Sequence, residues 1–397
     1  MKLFSRLSLV FIAAIILGCL GTSLAAAETN LPVWALGPFI RPDEAMPLIK
    51  PDTNSVFDCP MRKKPVHWEA RHTFNPASVV RDGKLYLLYR AEDDSSKAGI
   101  GSFTTRLGLA VSEDGIHFVK EPAPVFYPAD DSQKDWEWTG GCEDPRITEG
   151  LDGTYYLTYS QYTGLQPNGR KWRVGLASSK DLHHWTKYGS PFTGTKYEND
   201  HGGNLDGVIT GGVQTKSAAI VNEVKDGRLV AAKINGKYWM YFGESTVNLA
   251  NSDDLIHWVP VEGKDGKPLQ VLRTRRGFFD SNLNEIGPSP LLTSNGIVVF
   301  YNGKNSDPHY GGDPELSKGV YTGGQALFAA DDPTKLITRL DHPFIKPELY
   351  WEKSGQYAQG TTFTEGLSLF HEKWFLYYGC ADTFVGVAVC PATISTK

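Results

Sequence analysis

Residues 83–89 read Gly-Lys-Leu-Tyr-Leu-Leu-Tyr, a turn glycine followed by an aromatic and aliphatic run. Such runs, bounded by Gly or Asp, are typical of β-strands. Similar stretches recur at residues 153–159, 236–242, 296–301 and 372–378. This recurrence indicates a repeated β-unit, because self-similarity at a regular spacing marks a repeat architecture.

A second pattern, a strand that ends in a Ser-x-Asp turn, repeats at a comparable spacing. It occurs at Asp114, Asp181 and Asp254, with a degenerate copy at Asp332, so the copies lie 67, 73 and 78 residues apart. A unit of this length holds about four strands, the size of one propeller blade. The repeats therefore predict an all-β, five-bladed β-propeller. Two stacked β-sandwiches are the alternative, but they do not explain the fivefold recurrence of the aromatic strand.

The N-terminal segment contains a partial copy of the repeat. Residues 37–42 read Gly-Pro-Phe-Ile-Arg-Pro and resemble His-Pro-Phe-Ile-Lys-Pro at residues 342–347. An N-terminal strand that completes the last blade would cover an otherwise exposed sheet edge. We therefore expect residues 28–397 to form a single propeller domain.

The first 27 residues have the pattern of a signal peptide. Lys2 and Arg6 precede the apolar run at residues 7–20, which is too short to span a bilayer but suits a signal-peptide core. Cys19 follows a segment similar to a lipoprotein cleavage site, so a lipid anchor at Cys19 is an alternative. We expect an exported protein, periplasmic or at the cell surface, without a membrane span.

The composition argues against a nucleic-acid-binding protein and is compatible with a sugar-binding one. The formal net charge of −5 gives no basic excess, which argues against nucleic-acid binding. Aromatic residues reach 12%, as expected of a protein that stacks sugar rings. The spacing of the cysteines and histidines predicts neither a metal site nor a cofactor. Cys380 and Cys390 flank a predicted hairpin and fit either a disulfide or two free thiols.

Polar residues at strand ends are candidates for a shared site, because the inner strand ends of a propeller gather around its axis. Paired carboxylates at such a site are what glycoside hydrolysis requires, one as acid and one as base or nucleophile. Roles as turn caps or in structural ion pairs are the alternative at each position. The candidates are Asn75, Arg90, Asp144, Glu244, Glu285 and Asp382.

Several motifs together resemble glycoside hydrolase family 130. The most specific is Glu143-Asp144-Pro145-Arg146-Ile147, and the matching segments follow one another in the family's order over roughly residues 70 to 390. The resemblance implies a five-bladed propeller that acts on β-mannosides, either by hydrolysis or by phosphorolysis. The other matching segments are Phe74-Asn75-Pro76-Ala77, Leu88-Tyr89-Arg90-Ala91, Gly287-Pro288-Ser289-Pro290 and Tyr377-Tyr378-Gly379-Cys380-Ala381-Asp382.

Within this resemblance the sequence favours hydrolysis. The phosphorylases commonly carry a phosphate-binding His in a Tyr-His-Gly segment, and this chain has Asn302 at that place. Glu244 and Glu285 match two glutamates of the exported β-1,2-mannosidase branch. We therefore expect an inverting β-mannosidase, acting on β-1,2-linked manno-oligosaccharides, with these two carboxyl groups roughly 6.5–9.5 Å apart.

The remaining candidates would bind the oligosaccharide substrate. Asp144 would hydrogen-bond the hydroxyls of the mannose being cleaved, with Asn75, Arg90 and Asp382 around it. Arg146 would instead pair with a carboxylate and brace its loop.

Two other functions remain open from the sequence. The first is a β-mannoside phosphorylase with Asp144 as the acid, and the second is a non-catalytic glycan-binding propeller. Phosphorolysis would require a basic pocket, for which the chain offers two clusters. These are Arg170, Lys171 and Arg173, and Arg273, Arg275 and Arg276.

Overall fold

The computed structural model describes residues 31–43, 46–96, 100–205, 208–210 and 212–392. The expected signal peptide at residues 1–27, including Cys19, lies outside the described residues. In the part of the chain that is described, no helix has the length and apolar character needed to cross a membrane.

Regular structure in these residues is almost entirely β. Helix is limited to the four-residue α1 (Lys134–Glu137) and to 3-10 turns at Pro308–Tyr310 and Tyr350–Glu352. The strands of the first half are β1 (Phe57–Cys59), β2 (Lys64–Val66), β3 (His72–Arg81), β4 (Lys84–Glu92), β5 (Thr105–Ser112), β6 (Val119–Lys120), β7 (Gly141–Glu149), β8 (Tyr155–Tyr162), β9 (Arg170–Ser179), β10 (Trp185–Gly189), β11 (Gly202–Leu205) and β12 (Val208–Thr210). Those of the second half are β13 (Ala218–Ile220), β14 (Asn222–Lys225), β15 (Arg228–Ala231), β16 (Lys233–Ile234), β17 (Lys237–Phe242), β18 (Val247–Ser252), β19 (Trp258–Pro260), β20 (Gln270–Leu272), β21 (Leu283–Ile286), β22 (Leu291–Thr293), β23 (Gly296–Lys304), β24 (Tyr321–Phe328), β25 (Leu336–Arg339), β26 (Thr362–Phe370), β27 (Lys373–Cys380) and β28 (Phe384–Pro391).

Each recurrent aromatic stretch forms the middle strand of an antiparallel meander. The middle strands β4, β8, β17, β23 and β27 pair on both sides with their neighbours. The all-β prediction is confirmed, and most residues of the predicted aromatic strands are buried.

Hairpin turns explain why the strands start where they do. Asp82 and Gly83, which join β3 to β4, have φ angles of 50° and 72°. Asn235 and Gly236, which join β16 to β17, have φ angles of 52° and 79°. Positive φ at both central residues is the requirement of a tight type I′ hairpin, and Asp-Gly and Asn-Gly meet it with little strain.

The aspartates of the repeated Ser-x-Asp turns have a structural role. The Asp114 carboxylate accepts the backbone N–H groups of Ile116 and His117, both at 2.8 Å. Asp181 and Asp254 make the same pair of contacts in their own turns. These aspartates therefore stabilise the turns that follow β5, β9 and β18.

Neighbouring meanders pack through aliphatic and aromatic side chains. Tyr241 of β17 shares one buried cluster with Ile286 of β21 and Val299 of β23. Leu87 of β4 shares another with Tyr377 of β27. The first strands of separate meanders also approach one another, since β3 contacts β7 and β26, and β7 contacts β13. This arrangement brings residues that are distant in sequence to one central region.

The N-terminal segment pairs with the last strand, as its sequence predicted, but through isolated bridges rather than a continuous strand. Ile40 exchanges two backbone hydrogen bonds with Val389, at 2.9 and 2.8 Å. Ile49 forms a second bridge with Val385. The backbone of Leu36 is further held by the side-chain amide of Gln325, at 2.8 and 2.7 Å.

Cys380 and Cys390 are buried free thiols. The register of the β27–β28 hairpin is the reason that they do not pair. Cys380 lies opposite Phe384, whereas Cys390 lies opposite Trp374. The two sulfurs are therefore carried at opposite ends of the hairpin, too far apart for a disulfide.

Candidate active site

Asn75 and Asp144, each followed by a proline, are positioned by β-bulges. The pairing of β3 with β4 shifts register between Phe74 and Pro76, and that of β7 with β8 shifts between Glu143 and Arg146. Asn75 and Asp144 both take a positive φ of 47°. Proline cannot donate to the ladder, and a bulge accommodates it while re-aiming the preceding side chain. Both side chains consequently point to the same place.

Asp144 is held by two hydrogen bonds from separate strands. The side-chain amide of Asn75 donates to Asp144 Oδ1 at 2.9 Å, and Arg90 Nη1 donates to the same oxygen at 3.0 Å. The Asn75 amide leaves no room for a side chain at Gly379, where a Cβ would lie 2.1 Å from Asn75 Oδ1. The structure thus brings together three of the predicted site residues, Asn75, Arg90 and Asp144, and explains the glycine beside them.

Arg90 is occupied by carboxylates rather than free for sugar hydroxyls. Its Nη2 donates to Glu92 and to Glu143, both at 2.8 Å, in addition to the Asp144 contact. The guanidinium also lies 4.5 Å from the centre of the Phe74 ring. Arg90 is therefore a cation that holds three acidic groups in place, and its expected contact with sugar hydroxyls stays a prediction.

Replacing Arg90 by methionine should lower the free energy of unfolding by about 3–5 kcal/mol, because it leaves buried carboxylates without their counter-charge. Urea denaturation followed by circular dichroism measures this. The matched control is Arg81→Met on β3, whose partner Asp82 is exposed, and which should cost no more than about 1 kcal/mol. Equal losses in the two variants would contradict the assignment.

Glu244 and Glu285 lie directly opposite each other in an antiparallel bridge. Glu244 follows β17, and Glu285 lies within β21, where it also pairs with Asn302 of β23. Opposed residues of an antiparallel pair project from the same face, with Cβ atoms about 4.5–5.5 Å apart. The two carboxyl groups predicted from sequence therefore enter one region from adjacent strands.

Lys216 connects the glutamates to Asp144. Its Nζ lies 3.4 Å from Asp144 Oδ2 and 3.9 Å from Glu285 Oε1. The neighbouring Ser217 donates its hydroxyl hydrogen to Glu285 Oε1. The Lys216 side chain is largely buried, with 20% of its surface exposed. Burial alone would lower its pKa, but Glu285, Glu244 and Asp144 raise that pKa well above the usual value. A charged Lys216 is thus the cation shared by these three groups.

The carboxyl groups of the cluster titrate over different ranges. Burial raises the pKa of Glu244 to about 7, aided by the nearby charge of Glu285 and opposed by Lys216. Burial also acts on Asp144, but Arg90 and Lys216 outweigh it and hold the pKa of Asp144 well below its usual range. Carboxyl groups whose environments push their pKa values apart suit separate roles as proton donor and as ionised group.

Arg146 braces the strand that carries Glu285. It donates to the backbone oxygens of Ile286 at 2.6 Å and of Gly287 at 3.2 Å. The Arg146 guanidinium also pairs with the buried Glu365 at 2.7 Å. The expectation that Arg146 pairs with a carboxylate and supports its loop is confirmed.

A cavity of about 240 Å³ opens above this cluster, and we call it the central cavity. Of the predicted site residues, Glu244, Arg90 and Asp382 line the central cavity. Asn75, Asp144 and Glu285 lie one layer behind, next to residues that line it. Burial raises the pKa of Asp382 to about 6, and its backbone oxygen accepts the Gln356 amide at 2.9 Å. The remaining lining is Phe74, Ile100, Gly101, Glu143, Tyr162, Arg170, Trp172, Lys216 and Gln356.

Two of the six basic residues considered for phosphate have partners away from the central cavity. Arg275 pairs with Asp280 at 3.1 Å and with Asp341 at 2.9 Å. The Arg173 guanidinium lies 3.8 Å from the centre of the Trp136 ring. Of the six basic residues named from sequence, Arg170 lines the central cavity.

Sequence reasoning missed Lys216, Ser217 and Gln356. Lys216 and Ser217 immediately precede β13, the first strand of its meander, as Asn75 and Asp144 lie in the first strands of theirs. That equivalence was the available signal, but β13 is only three residues long and lacks the aromatic pattern. Gln356 lies outside any strand and had no signal.

Comparison with known proteins identifies the family. The family model for glycoside hydrolase family 130, described as β-1,4-mannooligosaccharide phosphorylase, matches residues 39–394. A 1,2-β-oligomannan phosphorylase from Thermoanaerobacter sp. (strain X514) is 31% identical over 330 residues, covering 83% of this chain and 93% of that protein. These descriptions favour phosphorolysis, the alternative to the hydrolysis expected from sequence.

Solved structures of similar proteins cover nearly the whole chain. A glycosyl hydrolase from Bacteroides ovatus is 47% identical, with a TM-score of 0.83 over 92% of this chain and 98% of that one. A second structure, with the same identity, TM-score and coverage, comes from a report that this family of mannoside phosphorylases contains glycoside hydrolases that target β-1,2 mannosidic linkages in Candida mannan. The chain therefore belongs to glycoside hydrolase family 130 and is an enzyme of that family that acts on mannosides.

Proposed function

We propose that this enzyme hydrolyses β-mannosidic linkages with inversion, and that its substrates are β-1,2-linked manno-oligosaccharides. The observation that carries the proposal is the pair of opposed glutamates, in which Glu244 lines the central cavity and Glu285 lies directly behind it. The two cations that line this cavity, Arg90 and Lys216, are already paired with carboxylates. The solved structure described with hydrolases of β-1,2 mannosidic linkages supports the linkage. We further propose that the five meanders are blades of one propeller and that the protein is exported.

In this proposal Glu244 is the general acid and Glu285 the general base. The raised pKa of Glu244, about 7, keeps a proton available for the leaving oxygen near neutral pH. Glu285 accepts a hydrogen bond from Ser217 and lies near the Lys216 ammonium, contacts that suit a carboxylate that takes a proton from water. Asp144, Asn75 and Asp382 would then hold the mannose whose bond is cleaved.

Phosphorolysis is the second candidate, because the family description and the curated relatives name phosphorylases. Two features of the site oppose it. Arg90 and Lys216 are paired with acidic groups, so a phosphate dianion would compete with those carboxylates. Asp144 has a pKa well below its usual range, so it carries no proton of its own to give at neutral pH.

Product analysis separates the two functions. The enzyme is incubated with β-1,2-mannobiose in phosphate buffer and in a buffer without phosphate, and the first product is followed by NMR. Hydrolysis with inversion yields α-mannose in both buffers. Formation of α-mannose 1-phosphate, with no cleavage when phosphate is absent, would establish the second candidate instead.

The pH profile of kcat/KM tests the role of Glu244. Because its folded-state pKa is about 7, the protonated acid should be lost as the pH rises through 7, and kcat/KM should then fall about tenfold per unit. Lys216 lowers this pKa, whereas Glu285 and Asp144 raise it. Lys216→Met should therefore move the alkaline limb to higher pH. A limb that does not move in this variant would contradict the assignment.

A further inference from the structure

A groove of about 450 Å³ lies across the last three strands of the second meander, and we call it the Tyr188 groove. This volume falls within the roughly 300–1,000 Å³ of ligand sites. Its lining includes Tyr156 of β8, Ser178 of β9, and Thr186 and Tyr188 of β10. The chemistry proposed for the central cavity uses other residues, so this groove needs its own explanation.

The Tyr188 groove and the central cavity lie at opposite ends of the paired strands β8 and β9. Tyr162 and Trp172, which face each other across these strands, line the central cavity. Tyr156 and Ser178, another facing pair, lie six positions away and line the groove. Six residues of β-strand span about 20 Å. A ligand in the groove therefore occupies a site separate from that of bond cleavage.

The same row of three cross-strand residues recurs in other meanders, but with different side chains. In the second meander, Tyr156 lies opposite Ser178, which lies opposite Thr186. The equivalent rows are Tyr86, Val111 and Val119 in the first meander, and Trp239, Asn251 and Val259 in the third. Because the first meander forms this row with two valines, the β-structure does not require hydroxyl groups at Ser178 and Thr186.

A β-bulge directs Tyr188 onto this row. The pairing of β10 with β9 shifts register between Lys187 and Gly189, and a bulge of this kind re-aims a side chain. The Tyr188 hydroxyl lies 2.8 Å from Ser178 Oγ, while the side chain keeps 36% of its surface exposed. An aromatic ring that is held before a ligand arrives loses little conformational freedom on binding.

The charged side chains of the groove are already paired within the protein. Lys180 pairs with Asp152 at 3.0 Å, and the Asp181 carboxylate lies 2.7 Å from His184 Nδ1. A charged ligand would compete with these partners. A ring beside hydroxyl groups instead matches a neutral sugar, which presents C–H faces and hydroxyl edges.

We propose that the Tyr188 groove binds β-mannan independently of the central cavity, with the Tyr188 ring against a sugar face and Ser178 and Thr186 bound to hydroxyls. The choice of mannan as the glycan rests on the proposed function. A polysaccharide presents many chain segments, so the two sites need not hold neighbouring sugars. A second site raises the effective concentration of polymer at the enzyme, whereas a disaccharide in the central cavity gains nothing from it.

Turnover of a β-1,2-linked mannan, compared with that of β-1,2-mannobiose, tests this proposal. For Tyr188→Ala, kcat/KM on the polysaccharide should fall at least about fivefold, the size expected when an aromatic stacking contact is lost. The value for mannobiose should change less than about twofold. Binding is measured separately, in the Glu244→Gln enzyme, as retardation in a gel that contains the mannan. Adding Tyr188→Ala to that enzyme should reduce the retardation.

The first meander supplies the matched variants. Combining Ser178→Val with Thr186→Val gives the second meander the row that the first already accommodates, so the test survives if Tyr188→Ala fails to fold. This double variant should also lose turnover of the polysaccharide but not of mannobiose. Val119→Ala alters an exposed side chain at the position equivalent to Thr186 and should change neither substrate.

The outcomes separate this inference from the proposed function. If folded groove variants bind and cleave the polysaccharide as the unmodified enzyme does, the Tyr188 groove is not a glycan site. Equal losses on polysaccharide and mannobiose would assign these residues to the stability of the meander and also overturn the inference. If mannobiose is not cleaved but the mannan is bound in a Tyr188-dependent way, the proposed function fails and the groove remains a glycan site.

Discussion

Replacing Glu244 by glutamine is expected to lower kcat for β-1,2-mannobiose by about 10²–10⁴-fold. The amide has nearly the same shape as the protonated carboxyl group but cannot release a proton to the leaving oxygen. KM should change little, because the substitution removes a contribution made in the transition state. Steady-state kinetics at pH 6, below the pKa of about 7, measure the effect with the unmodified acid protonated.

A substrate with a good leaving group provides the control for this result. An aryl β-mannoside with an acidic phenol departs with less protonic assistance, so Glu244→Gln should reduce its cleavage far less than that of mannobiose. Equal losses on both substrates would show that Glu244 does not act as the acid. Thermal unfolding should show that the variant is folded, because the neutral amide replaces a carboxyl group whose burial disfavours its charge.

Replacing Glu285 by glutamine should lower kcat by a similar factor, about 10²–10⁴-fold, because water is no longer activated. Azide should restore turnover, since this anion needs no base to remove a proton. Its terminal nitrogen would bond to the anomeric carbon as the bond to the leaving oxygen breaks, and Glu244 would protonate that oxygen. The expected product is α-mannosyl azide, detected by NMR or mass spectrometry.

Phosphate is the matched control in the Glu285 experiment. A phosphorylase uses an anionic nucleophile that needs no general base, so Glu285→Gln would leave phosphate-dependent cleavage largely intact. If the Glu285→Gln enzyme is active and produces α-mannose 1-phosphate, the enzyme is a phosphorylase and the proposal of hydrolysis is wrong. Inactivity with azide as well as with water would instead assign Glu285 a role in holding Lys216 and Ser217.

Local sequence was sufficient for the strands and many of their turns. The aromatic stretch at residues 84–89 lies in β4 because its alternating side chains fill the space between two meanders, and Asp82-Gly83 fits the turn before it. Family motifs were sufficient to select Asn75, Arg90, Asp144, Glu244, Glu285 and Asp382. The role expected of Arg90 was nevertheless incomplete, since Glu92 and Glu143 compete for the same guanidinium.

Contacts between residues that are far apart in sequence could not be predicted from local motifs. Lys216 lies 72 positions after Asp144 and 69 before Glu285, and its place ahead of a meander can be recognised only once the three-residue β13 is located. Its importance comes from the meeting of β7, β13 and β21, which places three carboxyl groups around one ammonium. The bulges at Asn75 and Asp144 likewise depend on pairing with β4 and β8.

By itself, the sequence determined that this protein is built from repeated β-units, and it selected acidic residues that the fold brings together. Alternating apolar side chains, turn residues and short motifs act over a few neighbouring positions, so they can be recognised without the fold. Only the tertiary structure decided which carboxyl group retains a proton and which cation faces it. Those properties arise from burial and from charges within a few ångströms in space, and both depend on how distant strands pack.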